Sequence, residues 1–267
     1  MGTENAPLGM FAHDFFHALG GVYGNKRLVP CLYNFERQAE ASRTHRWEYC
    51  TDYMGTWDVM SAHYVGKDSA PGISSFTRIR LGWITPEQAL PVRPGEERGA
   101  FLAPLGKGGK TLVVKIPLPG GQYYLVENRA PVGSDKIQPD SGLLVLRVNP
   151  AAQEGTETAR IMDADPGSPN LTRPTFRLDQ EKRNLFLDKE NNVAVVPLWE
   201  QGENLGVMVT TAEKGRDAVK AAQMILQLWQ KYPEPRDQKV KPIVEECLAA
   251  FKSFDFQKSY QIARKAL

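Results

Sequence analysis

The chain has 267 residues, of which 42% are hydrophobic and 24% charged, a composition typical of folded proteins and not of disordered or fibrous ones. Its 33 basic and 31 acidic residues leave a formal charge of +2, which excludes the strongly basic surface that nucleic acid attracts. No run approaches the roughly 18 to 20 apolar residues of a membrane-spanning helix. We therefore expect neither a nucleic-acid partner nor a transmembrane segment. The first residues also lack the basic start and apolar run of a signal peptide.

The hydrophobic pattern predicts helices at both ends of the chain and strands between them. Residues 6 to about 20 have helical spacing and end at two glycines; because this helix is mostly apolar, we expect it to be buried. Residues 21 to 90 are rich in loop-forming residues and end in a short helix, SSFTRIRLGW. Beyond residue 212, apolar positions at helical spacing predict two helices, separated by Pro-Glu-Pro at 233 to 235. Five runs rich in β-branched and aromatic residues predict strands: TLVVKIPL, QYYLVENR, GLLVLRVN, NNVAVVPLWEQ and LGVMVTTA.

Together these elements predict an α+β protein in three parts. We expect the first part over residues 1–90, an antiparallel β-sandwich over 91–212, and a short helical tail over 213–267. The chemistry-bearing motifs lie in the first part.

Two of the four histidines, His13 and His17, stand four residues apart in the sequence HDFFH. On a helix this spacing places both imidazoles on one face, as two ligands of one zinc ion require. Four histidines placed at random would give about 0.05 pairs at this spacing. In zinc peptidases with an HExxH motif, the residue after the first histidine takes a proton from the attacking water, and here that residue is Asp14. The other interpretation is a hydrogen-bonded cluster in the core.

Four motifs follow one another in order: HDFFHALGG from His13, VPCLYN at 29–34, MGTWDVMS at 54–61 and SSFTRIRLGWI at 74–84. This order resembles the immune inhibitor A family of secreted metallopeptidases, which read HEFGHALGLPDLYD, then a G-x-W-D-x-M turn, then a segment ending in LGW. The likeness continues through QYYLVENR, DSGLLVLRVN and IMDADPGSPN and covers roughly residues 10 to 212.

The resemblance implies the C-terminal part of a metzincin-like zinc peptidase domain, followed by the β-sandwich. It implies an extracellular zinc endopeptidase that acts on protein or peptide substrates. His13 and His17 would be zinc ligands and Asp14 the general base. Met60 would form the methionine turn beneath the metal, whereas Trp57 and Asp58 are expected to be structural.

The third zinc ligand departs from the family pattern. The family has an aspartate six residues after the second histidine, where this chain has Tyr23; alignment on the Leu-Tyr pair places Cys31 there instead. A thiolate binds zinc at about 2.3 Å, so a site with two histidines and Cys31 is chemically sound, although the metal becomes a weaker Lewis acid. Cys31 is otherwise a buried small side chain or a disulfide partner of Cys50. His63 is a reserve ligand or an exposed loop histidine.

Two functions remain open from the sequence. The family's upper subdomain, whose edge strand holds the substrate, precedes the zinc helix, but only twelve residues precede His13 here. We therefore expect either a piece of a longer zinc endopeptidase or a catalytically inactive relative that acts as a binding or surface module. In addition, Asp163, Asp165 and Asn170 of DADPGSPN offer oxygen atoms that either bind calcium or form a plain turn.

Overall fold

A computed structural model describes residues 6–64, 68–233 and 240–267. The predicted Pro-Glu-Pro break at 233–235 falls largely on residues 234–239, which lie outside the described residues. In chain order, the helices and strands are α1 (Leu8–Gly20), β1 (Val22–Tyr23), β2 (Lys26–Arg27), α2 (Phe35–Thr44), α3 (Ser75–Arg80), β3 (Ala89–Pro91), β4 (Arg98–Leu102), β5 (Val113–Pro117), β6 (Tyr123–Arg129), β7 (Gly142–Val148), β8 (Ala159–Ile161), β9 (Phe186–Asp188), β10 (Val193–Gln201), β11 (Asn204–Thr210), α4 (Gly215–Lys231), α5 (Val240–Lys252) and α6 (Phe256–Ala266).

The described chain is mixed α+β, as predicted, and its contacts divide it into two compact units. The first unit comprises Met1–Pro91 and Leu102–Thr175, and the second comprises Val92–Phe101 and Phe176–Leu267. Both units are discontinuous in sequence, so they cross the boundaries that we predicted after residues 90 and 212. Among the described residues, no helix combines the length and the apolar character that crossing a membrane requires.

The first unit is built around a five-stranded sheet with the order β3-β5-β6-β7-β8. Its pairs are antiparallel except β3 and β5, which run parallel. The predicted strands β5, β6 and β7 pair antiparallel, as expected, whereas β3 was not predicted. Consecutive residues of the central strands are buried, for example Leu143 to Leu146, because these runs are apolar on both faces of the sheet. Met54, Trp57 and Met60 are completely buried in the same core as Leu125 and Leu144.

Helix α1 lies close to the loops that face it because two of its residues lack side chains. A Cβ atom at Gly9 would lie 2.3 Å from the carbonyl oxygen of His63, and one at Gly20 would lie 2.7 Å from the side chain of Val29. The helix ends at Gly20 and is followed by Gly21, whose backbone adopts φ +67° and whose N–H donates to His17 O at 3.0 Å. These close approaches hold one face of α1 against the loops.

The opposite face of α1 is exposed, so the prediction that the helix is buried is wrong for that face. Its large apolar side chains are 45% to 60% exposed: Leu8, Phe11, Phe15 and Leu19. They recur every three or four residues and form one stripe along the helix. Amphipathic spacing was therefore present, but the apolar stripe is not the face that contacts the rest of the first unit.

The second unit combines a four-stranded sheet, ordered β4-β11-β10-β9, with helices α4, α5 and α6. Strand residues Val196 and Met208 share a core with Ile225 of α4 and Phe251 of α5. The predicted helical tail is therefore part of a unit that includes strands, because the apolar faces of its helices are buried against the sheet. The five predicted strand runs all form strands, divided between the sheets of the two units.

Candidate metal centre

The two histidines of HDFFH meet on the buried face of α1. Their Nε2 atoms lie 3.0 Å apart, and the ring planes are almost perpendicular at 89°. His13 is only 5% exposed. The helical repeat alone accounts for this meeting, because residues four apart lie one above the other.

Backbone carbonyl groups fix the orientation of both imidazoles. The Nδ1 atom of His13 lies 3.1 Å from the carbonyl oxygen of Val59, and that of His17 lies 2.7 Å from the carbonyl oxygen of Val29. A carbonyl oxygen only accepts hydrogen bonds, so each Nδ1 carries the proton and donates it. In the neutral ring the lone pair is then on Nε2, the tautomer that histidine ligands of metals commonly adopt.

The sulfur atom of Cys31 completes a group of three potential ligands. It lies 3.5 Å from Nε2 of His13 and 3.3 Å from Nε2 of His17. The backbone N–H of the next residue, Leu32, donates to Met60 O at 2.9 Å and so connects this loop to the turn that contains Met60. All three cysteines are free, so the alternative of a disulfide between Cys31 and Cys50 is wrong.

The separations of these three atoms fit a tetrahedral zinc site. Bond lengths of about 2.0 to 2.1 Å to nitrogen and 2.3 Å to sulfur place tetrahedral ligand atoms about 3.3 Å apart for two nitrogens and about 3.6 Å for nitrogen and sulfur. Among the described residues, His13, His17 and Cys31 are the group of histidine, cysteine and acidic side chains with this convergence. The same donors also suit other divalent transition metals, so geometry alone does not select zinc.

Burial prepares both histidines to bind a cation. Burial lowers the pKa of His13 to about 4 and also lowers the pKa of His17, so both rings are neutral near pH 7. Their lone pairs then face each other across 3.0 Å, an arrangement that a positive charge stabilises. Burial raises the pKa of the Cys31 thiol to about 12, so a bound metal must displace its proton.

Two residues that the sequence analysis missed, Arg27 and Glu154, lie beside the cluster. Nη1 of Arg27 lies 3.3 Å from Nε2 of His17 and donates to Glu154 Oε1 at 3.1 Å. The same carboxylate oxygen accepts the backbone N–H of Cys31 at 2.9 Å. Partial burial opposes ionisation of Glu154, but this N–H and the charge of Arg27 outweigh it and lower its pKa. Glu154 stands in a loop after β7 with no motif around it, so no sequence signal marked it.

The other predicted site residues have different surroundings. Asp14 is exposed, and no hydrogen bond or ion pair joins it to another described residue. Tyr23, at the family's aspartate position, is 88% exposed, which leaves Cys31 as the candidate third ligand.

His63, the reserve ligand, is partly buried instead of exposed. Its ring centre lies 4.4 Å from that of His13, but its nitrogen atoms are not part of the group formed by His13, His17 and Cys31. Met60 is fully buried in the core.

Asp58, expected to be structural, organises the turn beneath the cluster. Its carboxylate accepts hydrogen bonds from the backbone N–H groups of Met60 and Ser74, both at 2.8 Å. It also accepts from the hydroxyl groups of Ser74 at 2.6 Å and Thr77 at 2.7 Å. Because Val59 lies between Asp58 and Met60, this network holds the carbonyl group that orients His13.

The DADPGSPN segment forms an ordered turn. Asp163 Oδ1 accepts the backbone N–H of Asp165 at 2.9 Å, and Asp165 lies 3.5 Å from Nη1 of Arg173. These contacts are those of the plain-turn alternative. Calcium binding by Asp163, Asp165 and Asn170 stays a prediction.

Comparisons with known proteins do not identify the chain's family. No family model, curated protein or solved structure matches the chain.

Proposed function

We propose that the chain is a zinc-dependent endopeptidase whose metal ligands are His13, His17 and Cys31. The observation that supports this proposal is the convergence of two carbonyl-oriented imidazoles and one thiol within 3.0 to 3.5 Å of one another. When bound, zinc supplies a Lewis acid that lowers the pKa of water, so that water attacks a peptide carbonyl near neutral pH.

Asp14 is the proposed general base. It follows His13 on α1, and its side chain is exposed to solvent, so a water molecule and a substrate can both reach it. In this role its carboxylate accepts a proton from the attacking water and passes it to the leaving amine. Because its side chain is one methylene shorter than that of glutamate, its reach is the weakest element of the proposed site.

The second candidate function is that of an inactive metal-binding module. Arg27 favours it, because its guanidinium lies 3.3 Å from Nε2 of His17 and 3.9 Å from Sγ of Cys31. The positive charge of the guanidinium repels a metal cation bound beside it. A thiolate ligand also weakens the Lewis acidity of the metal. In this alternative the metal stabilises the first unit and performs no hydrolysis.

Zinc content and peptide hydrolysis, measured on the same full-length protein, test the proposal. We expect one zinc ion per chain by elemental analysis and cleavage of an unfolded protein substrate. His17→Ala should abolish both, whereas Leu19→Ala is the control, because Leu19 is a 50% exposed residue of the same helix outside the cluster.

Two substitutions of Asp14 separate the candidate functions. Asp14→Asn should retain zinc and lose at least about 100-fold in kcat, because it keeps the size of the side chain and removes the base. Zinc binding without cleavage, with cleavage created by Asp14→Glu, would support the inactive module. Protein that binds no zinc after reconstitution from the denatured state would contradict both candidates.

A further inference from the structure

Helix α1 presents an apolar stripe to solvent on the side that faces away from the metal centre. Four large side chains, between 45% and 60% exposed, make up this stripe: Leu8, Phe11, Phe15 and Leu19. They are spaced by three or four residues, whereas His13 and His17 lie about half a turn away around the helix axis. The stripe and the candidate ligands therefore occupy opposite faces of one helix.

Three further apolar side chains lie next to this stripe. The ring of Phe16, 6.4 Å from that of Phe15, contacts the ring of Trp83 edge-on at 5.7 Å, and Trp83 is 50% exposed. Directly after the helix, Val22 and Tyr23 of β1 are 68% and 88% exposed. We call the stripe together with Trp83, Val22 and Tyr23 the α1 patch.

The α1 patch exposes more apolar surface than a monomeric protein normally leaves in water. An aromatic side chain has roughly 150 to 250 Å² of surface and an aliphatic one somewhat less, so the exposed fractions correspond to about 800 Å² for the patch. The largest apolar patch of a typical monomer measures about 300 to 600 Å². In a stable protein complex of standard size, each partner buries about 800 Å². The patch alone therefore supplies the area that one side of such an interface needs.

The charges of α1 favour a protein partner over a lipid surface. Helices that lie on membranes carry lysine and arginine on their polar face, and these cations attract anionic lipids. Helix α1 contains no lysine or arginine, and its acidic residue, Asp14, is exposed beside Phe15. Anionic lipids repel a carboxylate at this place, whereas a protein surface of the same apolar character does not.

We infer that the chain forms a symmetric dimer in which the α1 patch contacts the same patch of a second copy. A two-fold axis brings identical surfaces together, so an apolar stripe finds its complementary partner in a second copy of itself. Helices that pack through such stripes lie about 8 to 10 Å apart, which lets large side chains of the two copies interdigitate. The dimer does not depend on the proposed peptidase function, because this face of α1 does not include His13 or His17.

Analytical ultracentrifugation of the full chain over a wide range of protein concentration tests the inference. We expect twice the mass of a single chain at micromolar concentration, and dissociation on dilution. Phe15→Ser should weaken the dimer at least about 10-fold, because aromatic side chains contribute much of the affinity of an interface. Since Phe15 is 60% exposed, we expect the variant to fold, which circular dichroism checks.

A second stripe variant and a control complete the experiment. Leu19→Ser, at a 50% exposed position, should also weaken the dimer and keeps the test valid if Phe15→Ser fails to fold. Ile137→Ser is the control, because Ile137 is a 42% exposed apolar residue of the short helix Gly133–Ile137, which is not part of the α1 patch. Its dimer should have the affinity of the wild type.

Each outcome either supports or overturns the dimer. Weaker association in the stripe variants, with unchanged association in Ile137→Ser, would support the α1 patch as the interface. A dimer that neither stripe variant weakens would overturn this assignment. The mass of a single chain at every concentration would also overturn it, and flotation of that monomer with phosphatidylserine vesicles would assign the patch to a membrane surface instead. Zinc content and hydrolysis are measured separately, so a failed dimer leaves the peptidase proposal standing.

Discussion

The backbone N–H of Cys31 donates a 2.9 Å hydrogen bond to the carboxylate of Glu154, 123 residues further along the chain. The same carboxylate holds Arg27 at 3.1 Å. One acidic side chain therefore positions the candidate sulfur ligand and balances the positive charge nearest to it. The site depends on a residue that is remote from every metal-binding motif in the sequence.

Replacing Glu154 should weaken metal binding without abolishing it. Glu154→Gln keeps an oxygen acceptor for the Cys31 N–H but removes the charge that offsets Arg27, so we expect zinc affinity to fall about 10- to 100-fold. Competition with a chromophoric chelator measures this affinity. Glu157→Gln is the matched control, because Glu157 lies on the same segment and pairs at 3.3 Å with Arg160 instead. Equal affinities for both variants would show that Glu154 does not support the site.

Cobalt substitution should reveal whether Cys31 binds the metal. The cobalt-loaded wild type should show thiolate-to-metal charge-transfer absorption in the near ultraviolet, and Cys31→Ser should lose it because an alcohol is a poor ligand for this ion. Cys50→Ser should keep the band, since Sγ of Cys50 donates to Trp47 O at 3.2 Å, outside the cluster. A band that survives in Cys31→Ser would assign the third ligand elsewhere.

Zinc should raise the thermal stability of the protein through its affinity for the folded site. Free zinc at 100 times its dissociation constant corresponds to about 2.7 kcal/mol of added stability. We expect a rise in Tm of the wild type by calorimetry, reversed by a chelator. In His17→Ala the rise should disappear, and an equal rise in that variant would indicate binding at another place.

Asp58 should be required for the stability of the first unit. Its carboxylate is fully buried and accepts four hydrogen bonds, so Asp58→Ala leaves four donors without a partner and should cost at least about 3 kcal/mol. Ser74→Ala removes one of these donors and should cost about 1 kcal/mol. Urea unfolding measures both. Zinc affinity should also fall in Asp58→Ala, because the carbonyl group of Val59 loses its support.

A buried ion triad should be a second determinant of stability. Arg129 contacts Glu127 at 2.9 Å and Asp135 at 2.7 Å, with all three side chains at most 1% exposed. Arg129→Ala leaves two buried carboxylates without their cation, and we expect a loss of about 3 to 5 kcal/mol. Arg147→Ala, at an exposed position of the neighbouring strand β7, should change stability by less than about 0.5 kcal/mol. Similar urea midpoints for the two variants would contradict this prediction.

Local sequence patterns determined much of the secondary structure. Five apolar runs predicted strands, and all five form strands; the four-residue spacing of His13 and His17 placed both on one face of a helix. These predictions succeed because side-chain direction repeats every two residues in a strand and every 3.6 in a helix, which depends on neighbours in sequence alone.

Only the tertiary structure determined which groups surround the candidate metal site and how the strands divide between the two units. The carbonyl groups of Val29 and Val59 and the guanidinium of Arg27 contact the histidines, and the carboxylate of Glu154 contacts Arg27 and the backbone of Cys31. No periodicity connects these residues, because their contacts depend on how the loops pack against α1 and not on spacing along the chain. Likewise, the parallel pairing of β3 with β5 and the division of the strands between two units follow from long-range packing.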